Sequence, residues 1–180
     1  MNLLLHTCCG PCAAWPLKTL SEQNVRVTGL FFNPNIYPRE EHDKRAAGAV
    51  TAYGFYGAPI IINDGYRENA RKQYDGDAAG GGSKSGADTS RCEKCYRMRL
   101  SHAAGLAAEM NFDAFSTTLL ISPYQKHDLI ADICGEQSRI YGVRFYYRDF
   151  RPHFRDGQKL AREMGLYRQK YCGCASSAPS

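Results

Sequence analysis

Two short stretches concentrate the thiols of this chain: His6-Thr7-Cys8-Cys9-Gly10-Pro11-Cys12 near its start and Cys92-Glu93-Lys94-Cys95 in its middle. Five cysteines in two tight groups exceed what packing requires. Cys9-x-x-Cys12 and Cys92-x-x-Cys95 each place two sulfurs within reach of one metal or cluster, and Cys8 adds a fifth. Neighbours along a strand point to opposite faces, so Cys8 and Cys9 can both ligate only where the chain turns. Gly10-Pro11 supplies that turn. A helix opening at Pro11 would lower the pKa of thiols at its N-terminus, which favours ligation. Four thiolates hold either an iron–sulfur cluster or a tetrahedral structural zinc. Zinc ribbons separate their paired cysteines by about 15–20 residues. Here 79 residues intervene, which suits a site inside a folded pocket. The spacing leaves three chemistries open: iron–sulfur, zinc, and thiol redox without a metal.

A third group, Cys172-Gly173-Cys174, is a different device. A CxC pair can close a small, strained disulfide, and such disulfides are labile and oxidising. Arg168 and Lys170 nearby would lower its thiol pKa values. The pair reads either as an electron relay to the site or as two idle thiols in a frayed terminus. Cys134 stands alone in an apolar helix and reads as a small core residue. His6 ends the first strand beside the cysteines, as a ligand, a proton donor or a hydrogen-bonded structural residue. His42, His102, His127 and His153 have no ligand spacing.

Composition bounds the rest. The chain has 180 residues, 43 % of them hydrophobic, and eight cysteines. It is long enough to bury a core as a single domain, 1–180, and is neither disordered nor disulfide-stapled in character. No apolar run approaches the roughly 20 residues of a membrane span, and the N-terminus does not read as a signal peptide. The expectation is a cytoplasmic protein. The net charge of +5 is uneven: residues 139–170 hold nine Lys/Arg against three Asp/Glu, a net of +6. In this stretch Tyr141, Phe145, Tyr146, Tyr147, Phe150, Phe154 and Tyr167 interleave with arginines. A basic segment with aromatics fits RNA, since rings stack on unpaired bases while arginines hold phosphates. The alternative is a solvated basic face. Phe145 and Tyr147 read as the buried face of a strand, which leaves Arg148, Arg151 and Arg155 as candidate RNA contacts.

The positioning elements follow from periodicity and breakers. Strands are expected over 2–6, 25–32, 59–63, 112–120 and 143–147. Helices are expected from Pro11 towards Gln23 and over 38–56, 66–74, 95–110, 123–140 and 153–164. Residues 75–90 are low-complexity Gly/Ala/Ser and read as a flexible loop, either a lid over the metal site or a surface loop with no role. Alternating strands and helices make an α/β fold, a three-layer sandwich around a parallel sheet of about five strands. Ligands bind at the carboxyl ends of such strands. The cysteine loop, Asn33–Tyr37, Ser122-Pro123-Tyr124 and Asp149-Phe150-Arg151 all fall there.

The blocks HTCCGPC (6–12), FFNPNIYPREEHDKR (31–45), RCEKCYRMRL (91–100), FSTTLLISPYQKHDLI (115–130), FYYRDFRPHFRDG (145–157) and LYRQKYCGC (166–174) run in order over nearly the whole chain. Together they resemble the cobalamin-independent epoxyqueuosine reductase family, QueH. The resemblance implies a Rossmann-like sheet related to the adenine-nucleotide α-hydrolases. It implies a tRNA-modifying oxidoreductase that reduces epoxyqueuosine to queuosine at the wobble position, the last step of queuosine biosynthesis. It implies a [4Fe–4S] cluster on Cys8, Cys9, Cys92 and Cys95, with Cys172 and Cys174 as a redox-active disulfide. Cys12 is then left to hold an additional iron or to stay a free thiol nearby. Tyr37 and Tyr124 are the candidate acids, residues 139–174 the substrate-binding and redox segment, and the electron donor has no identity in the sequence. Two rivals stand beside this reading. One is an ATP-dependent tRNA-modifying enzyme of the pyrophosphate-loop class, which needs a Gly/Ser phosphate loop where this chain has cysteines. The other is a zinc-stabilised RNA-binding module.

Overall fold

The computed structural model describes residues 1–66, 89–174 and 177. Five parallel strands form one sheet in the order β3-β2-β1-β4-β5. They are β1 (Asn2–His6), β2 (Arg26–Phe31), β3 (Ile60–Ile62), β4 (Ala114–Thr117) and β5 (Arg144–Phe145). The described helices are α1 (Gly10–Glu22), α2 (Arg39–Phe55), α3 (Thr89–Glu109), α4 (His127–Tyr141) and α5 (Phe154–Glu163). None is long and apolar enough to cross a membrane.

β1 shows why the sequence reads as unbroken apolar rather than alternating. Leu4 packs with Leu100, Ala103 and Ala104 of α3 and Ile130, Ile133 and Cys134 of α4. Leu3 and Leu5 pack on the other face with Ala13, Ala14 and Leu17 of α1, Tyr53 of α2 and Ala161 of α5. Both faces of the central strand are covered, as a parallel sheet requires. The result is the three-layer α/β sandwich expected from the sequence.

β2 and β3 extend from one edge of β1, and β4 and β5 from the other. The carboxyl ends of β1 and β4 therefore flank the switch point, where open α/β sheets form their ligand crevice. In register, His6 lies opposite Thr117, so the loops that leave at Thr7 and Thr118 share that crevice.

Four elements differ from expectation by more than one residue at an end. α3 begins at Thr89, not Cys95, so Cys92 and Cys95 lie on its first turns. β4 stops at Thr117, because a 3-10 turn, Thr118–Ile121, follows with the Leu119 N–H bonded to the Thr117 hydroxyl at 3.2 Å. α4 starts at His127 rather than Pro123. Ser122 there closes a turn, accepting from Tyr124 N on its hydroxyl and from Gln125 N on its carbonyl. β5 is reduced to two residues. The helix expected over 66–74 lies outside the described residues except for Tyr66, and the loop expected over 75–90 except for its last two residues.

Candidate metal centre

Thr7 continues the β1 ladder through its N–H to the Leu30 carbonyl (2.8 Å). Its hydroxyl donates to the Leu5 carbonyl (3.1 Å) and accepts from the buried Tyr53 hydroxyl (2.7 Å). That anchors the point where the strand ends. Cys9 then caps α1 with extended backbone, and Cys12 falls in the first helical turn. α1 reaches this position only because residue 10 is glycine: a Cβ there would lie 2.4 Å from the Gly48 carbonyl oxygen of α2. The close approach fixes the helix start, and with it the three cysteines.

The sulfurs of Cys8, Cys9 and Cys12 all lie within 4.8 Å of one another, and all three residues are buried. Thr118 clamps Cys8 twice, accepting its N–H (3.1 Å) and donating to its sulfur (3.4 Å). Cys8 is held well below the ordinary thiol range by hydrogen bonds from the Cys12 and Cys9 thiols, with Thr118 adding to them. Burial pushes Cys9 up, and hydrogen bonding to Cys8 and Cys9, then burial, pushes Cys12 up. The trio thus stabilises one thiolate and resists a second. All three can ionise together only when a cation supplies the compensating charge, which is how thiolate metal sites assemble. The donor set therefore fits a metal or cluster.

Cys92 and Cys95 lie on the first turns of α3. They are half-buried and pack against the apolar cluster that contains Cys8, Cys9 and Cys12. They are not part of the tight trio. Cys95 Sγ accepts an N–H from Asn35 Nδ2 (3.2 Å). The orientation of that amide is set by buried Arg99, whose Nη2 and Nε both donate to Asn35 Oδ1 (2.6 and 3.1 Å). An arginine only donates, so Oδ1 must face it and Nδ2 must face the sulfur.

The C-terminal segment lies across this edge as a strap. Gln169 Nε2 donates to Cys9 Sγ at 2.9 Å, and its Oε1 is buried without a partner among the described residues. Arg45, paired with Glu41 inside α2 (2.7 Å), donates Nη1 to the Cys172 carbonyl (3.0 Å) and Nη2 to that of Tyr171 (2.9 Å). Tyr167 donates to the other Glu41 oxygen at 2.5 Å, and the Tyr37 N–H donates to the Gly173 carbonyl at 2.9 Å. The Tyr171 hydroxyl donates to the Tyr37 carbonyl. Gly173 has φ +110°, and a Cβ on it would meet Arg45 Nη1 at 2.8 Å, so this position needs glycine on both counts.

Cys172 and Cys174 are both thiols here, sulfurs 3.3 Å apart, so the disulfide implied by the resemblance is not formed in this structure. Hydrogen bonding with the Cys174 thiol pushes the Cys172 pKa up, against the lowering expected from the cationic neighbours.

His6 is structural. Nε2 faces the Phe32 carbonyl (3.3 Å), which can only accept, so Nδ1 accepts from the Thr117 hydroxyl (2.9 Å). Burial, with nearby Arg99, lowers it to about 4. Cys134 is a fully buried core residue of α4. Tyr37 adjoins the strap. Tyr124 is 83 % exposed and packs edge-on against Phe154, apart from the cysteines. Of the candidate RNA contacts, Arg155 is exposed, Arg148 lies over the Phe150 ring and Arg151 is paired with Asp149. Gln169, Asn35, Arg99, Thr118, Glu41 and Arg45 were not singled out from the sequence. Their only signal there is membership of the motif blocks.

Several comparisons with known proteins agree. A family model described as epoxyqueuosine reductase QueH matches residues 3–180. The chain is 34 % identical over 181 residues to the epoxyqueuosine reductase QueH of Dehalococcoides mccartyi, covering 98 % of this chain and 92 % of that one. It is 33 % identical over 182 residues to that of Thermotoga maritima, covering 98 % and 90 %. Among solved structures, the U34-tRNA thiolase NcsA of Methanococcus maripaludis, determined with its [4Fe-4S] cluster, superposes with a TM-score of 0.51 at 15 % identity, covering 99 % of this chain and 59 % of that one. A teicoplanin deacetylase complex gives 0.57 at 11 %, covering 91 % and 86 %. At such identities the structural likeness is one of fold alone. The match to the family model and to its curated members spans nearly the whole sequence: this chain belongs to the epoxyqueuosine reductase QueH family.

Proposed function

We propose that this protein reduces epoxyqueuosine to queuosine at the wobble position of tRNA, closing queuosine biosynthesis, with a [4Fe–4S] cluster held by Cys8, Cys9, Cys92 and Cys95. One observation supports the reading: in a chain of this family Cys8, Cys9 and Cys12 meet at the carboxyl end of β1, and Cys92 and Cys95 pack against the same apolar cluster. When bound, the cluster supplies electron transfer and a Lewis acid for the epoxide oxygen. Cys12, inside the trio, would hold an additional iron or stay a free thiol beside the cluster.

The reaction is a two-electron deoxygenation. Two electrons and two protons convert the epoxide to an alkene, and the oxygen leaves as water. Cys172 and Cys174 form a dithiol that can deliver two electrons by closing a disulfide, to be re-reduced by an external donor. Tyr37, beside the strap, and Tyr124, on the rim, are the candidate proton donors. Arg148, Arg151 and Arg155 hold tRNA phosphates while the modified base is turned out of its stack, as chemistry on a base requires. Buried Tyr96, Leu119 and Phe150 belong to the same apolar cluster as Cys8, Cys9 and Cys12 and would help keep water from the reacting centre.

Anaerobic purification with iron, sulfide and zinc analysis, followed by turnover on tRNA carrying epoxyqueuosine, tests this reading. The expected result is about four sulfides with about four irons per chain, the count of a cubane, or one iron more where Cys12 holds the additional ion, with loss of epoxyqueuosine from the tRNA. A zinc-only protein that reconstitutes no cluster overturns it.

A further inference from the structure

Two amides approach the cysteines from segments that are unrelated in sequence, and both present N–H to sulfur. Asn35, in the loop after β2, donates to Cys95, and Gln169, on the C-terminal strap, donates to Cys9. The Asn35 orientation is fixed by Arg99. That of Gln169 is fixed by chemistry: a ligated Cys9 has no S–H to offer, so only Nε2 can face it. Hydrogen bonds to ligand sulfurs are among the determinants of an iron–sulfur reduction potential, because they stabilise the extra negative charge of the reduced state.

We propose that Gln169 and Asn35 are positioning residues that raise the reduction potential of the cluster, and that Gln169 makes this potential depend on docking of the strap that carries Cys172 and Cys174. The inference rests on the cluster reading above. Among the described residues, the Gln169 amide N–H bonds only to the cysteine sulfurs, so its aim depends on how its backbone is held. The holding contacts lie on either side of it: Tyr167 to Glu41, and the Tyr171 and Cys172 carbonyls to Arg45. A strap lifted from α2 withdraws an N–H donor from Cys9, and the cluster becomes harder to reduce. The cluster is thereby tuned to accept electrons when the CxC thiols are docked beside it.

The test is a redox titration of the holoprotein followed by electron paramagnetic resonance. Gln169→Leu removes the donor, and Gln169→Glu replaces it isosterically with an acceptor. Asn35→Asp does the same at Cys95 while keeping a partner for Arg99. Arg45→Lys keeps the pairing with Glu41 but cannot fork onto two carbonyls. Each variant is expected to titrate at a more negative potential. For Gln169→Leu the expected change is about tenfold in the one-electron equilibrium constant, about 59 mV, with Gln169→Glu larger. Adding Arg45→Lys to Gln169→Leu is expected to shift the potential no further, because both act through the same N–H. Where the leucine variant loses its cluster, the glutamate variant decides alone. Potentials that coincide with wild type in a protein that still holds its cluster and turns over tRNA overturn this inference and leave the proposed function standing. A protein that binds no cluster overturns both.

Discussion

Cys8, Cys9 and Cys12 sit where a strand becomes a helix, none more than 8 % exposed, fixed by the Gly10–Gly48 contact and the Thr118 clamp. Cys172 and Cys174 sit on a strap whose own backbone forms no helix or strand, held by carbonyl bonds to Arg45 and Tyr37. In the first region the fold positions the sulfurs and denies them solvent. In the second it grips the main chain and leaves Cys172 exposed and Cys174 half-buried. The first arrangement suits a resident group, since ligands must not move. The second suits thiol exchange, since a reductant must reach the sulfur.

The sharpest break of that comparison uses serine in each region. Cys9→Ser is expected to abolish iron and sulfide retention and all turnover. Cys172→Ser is expected to retain the full cluster and spectrum while turnover falls to background. Cys92→Ser should behave as Cys9→Ser does, and Cys134→Ser should keep its cluster. Equal iron loss in the Cys9 and Cys172 variants would erase the distinction between holding and exchanging.

Next in size is the clamp. Arg45→Met strands Glu41, 8 % exposed, without its cation, and breaking such a buried pair costs about 3–5 kcal/mol. For a chain of this length that lowers Tm by roughly 10 °C. The cluster should survive at low temperature while Cys172 alkylates faster than in wild type. Glycine substitutions divide the regions again at about 1–3 kcal/mol each. Gly10→Ala drives a Cβ into the Gly48 carbonyl, and thermal unfolding with iron analysis should show loss of both stability and cluster. Gly173→Ala strains only the strap, and should raise the alkylation rate of Cys172 with iron content unchanged.

The sheet and the ligand candidates were legible in the sequence because both are local signals. LLL in β1 and RVTGLF in β2 declare buried strands within a few residues, and HTCCGPC declares its chemistry by residue type alone. Element ends were less legible. Thr118 starts a 3-10 turn rather than extending β4 because the Thr117 hydroxyl takes the Leu119 N–H, a bond that β-propensity does not encode. The residues around the sulfurs were not legible at all. Asn35 lies 60 positions from Cys95, Gln169 lies 160 from Cys9, and Arg45 lies 127 from Cys172. An amide or arginine in a loop has many local uses, and only the folded chain shows which one is taken.

The smallest effect separates the regions by pH. Tyr167 donates to Glu41 on the strap side, and that bond to a carboxylate pushes its pKa up to about 12 from an ordinary value of 10.0. The folded state therefore holds the phenol proton more tightly than the unfolded state. The stabilisation is fully present below pH 10 and fades as pH rises towards 12. Tyr167 is 38 % exposed, so solvent screening keeps the contribution below about 1 kcal/mol. Tyr167→Phe removes it at neutral pH, and the variant should lose less than about 1 kcal/mol in denaturant unfolding. A tyrosinate absorbance titration of wild type minus Tyr167→Phe should show one phenol ionising near 12. A difference that titrates near 10 would mean that Glu41 does not hold the phenol. The strap would then rest on its contacts to Arg45, Tyr37 and Cys9, a looser hold on Gln169 than the sheet has on Cys9.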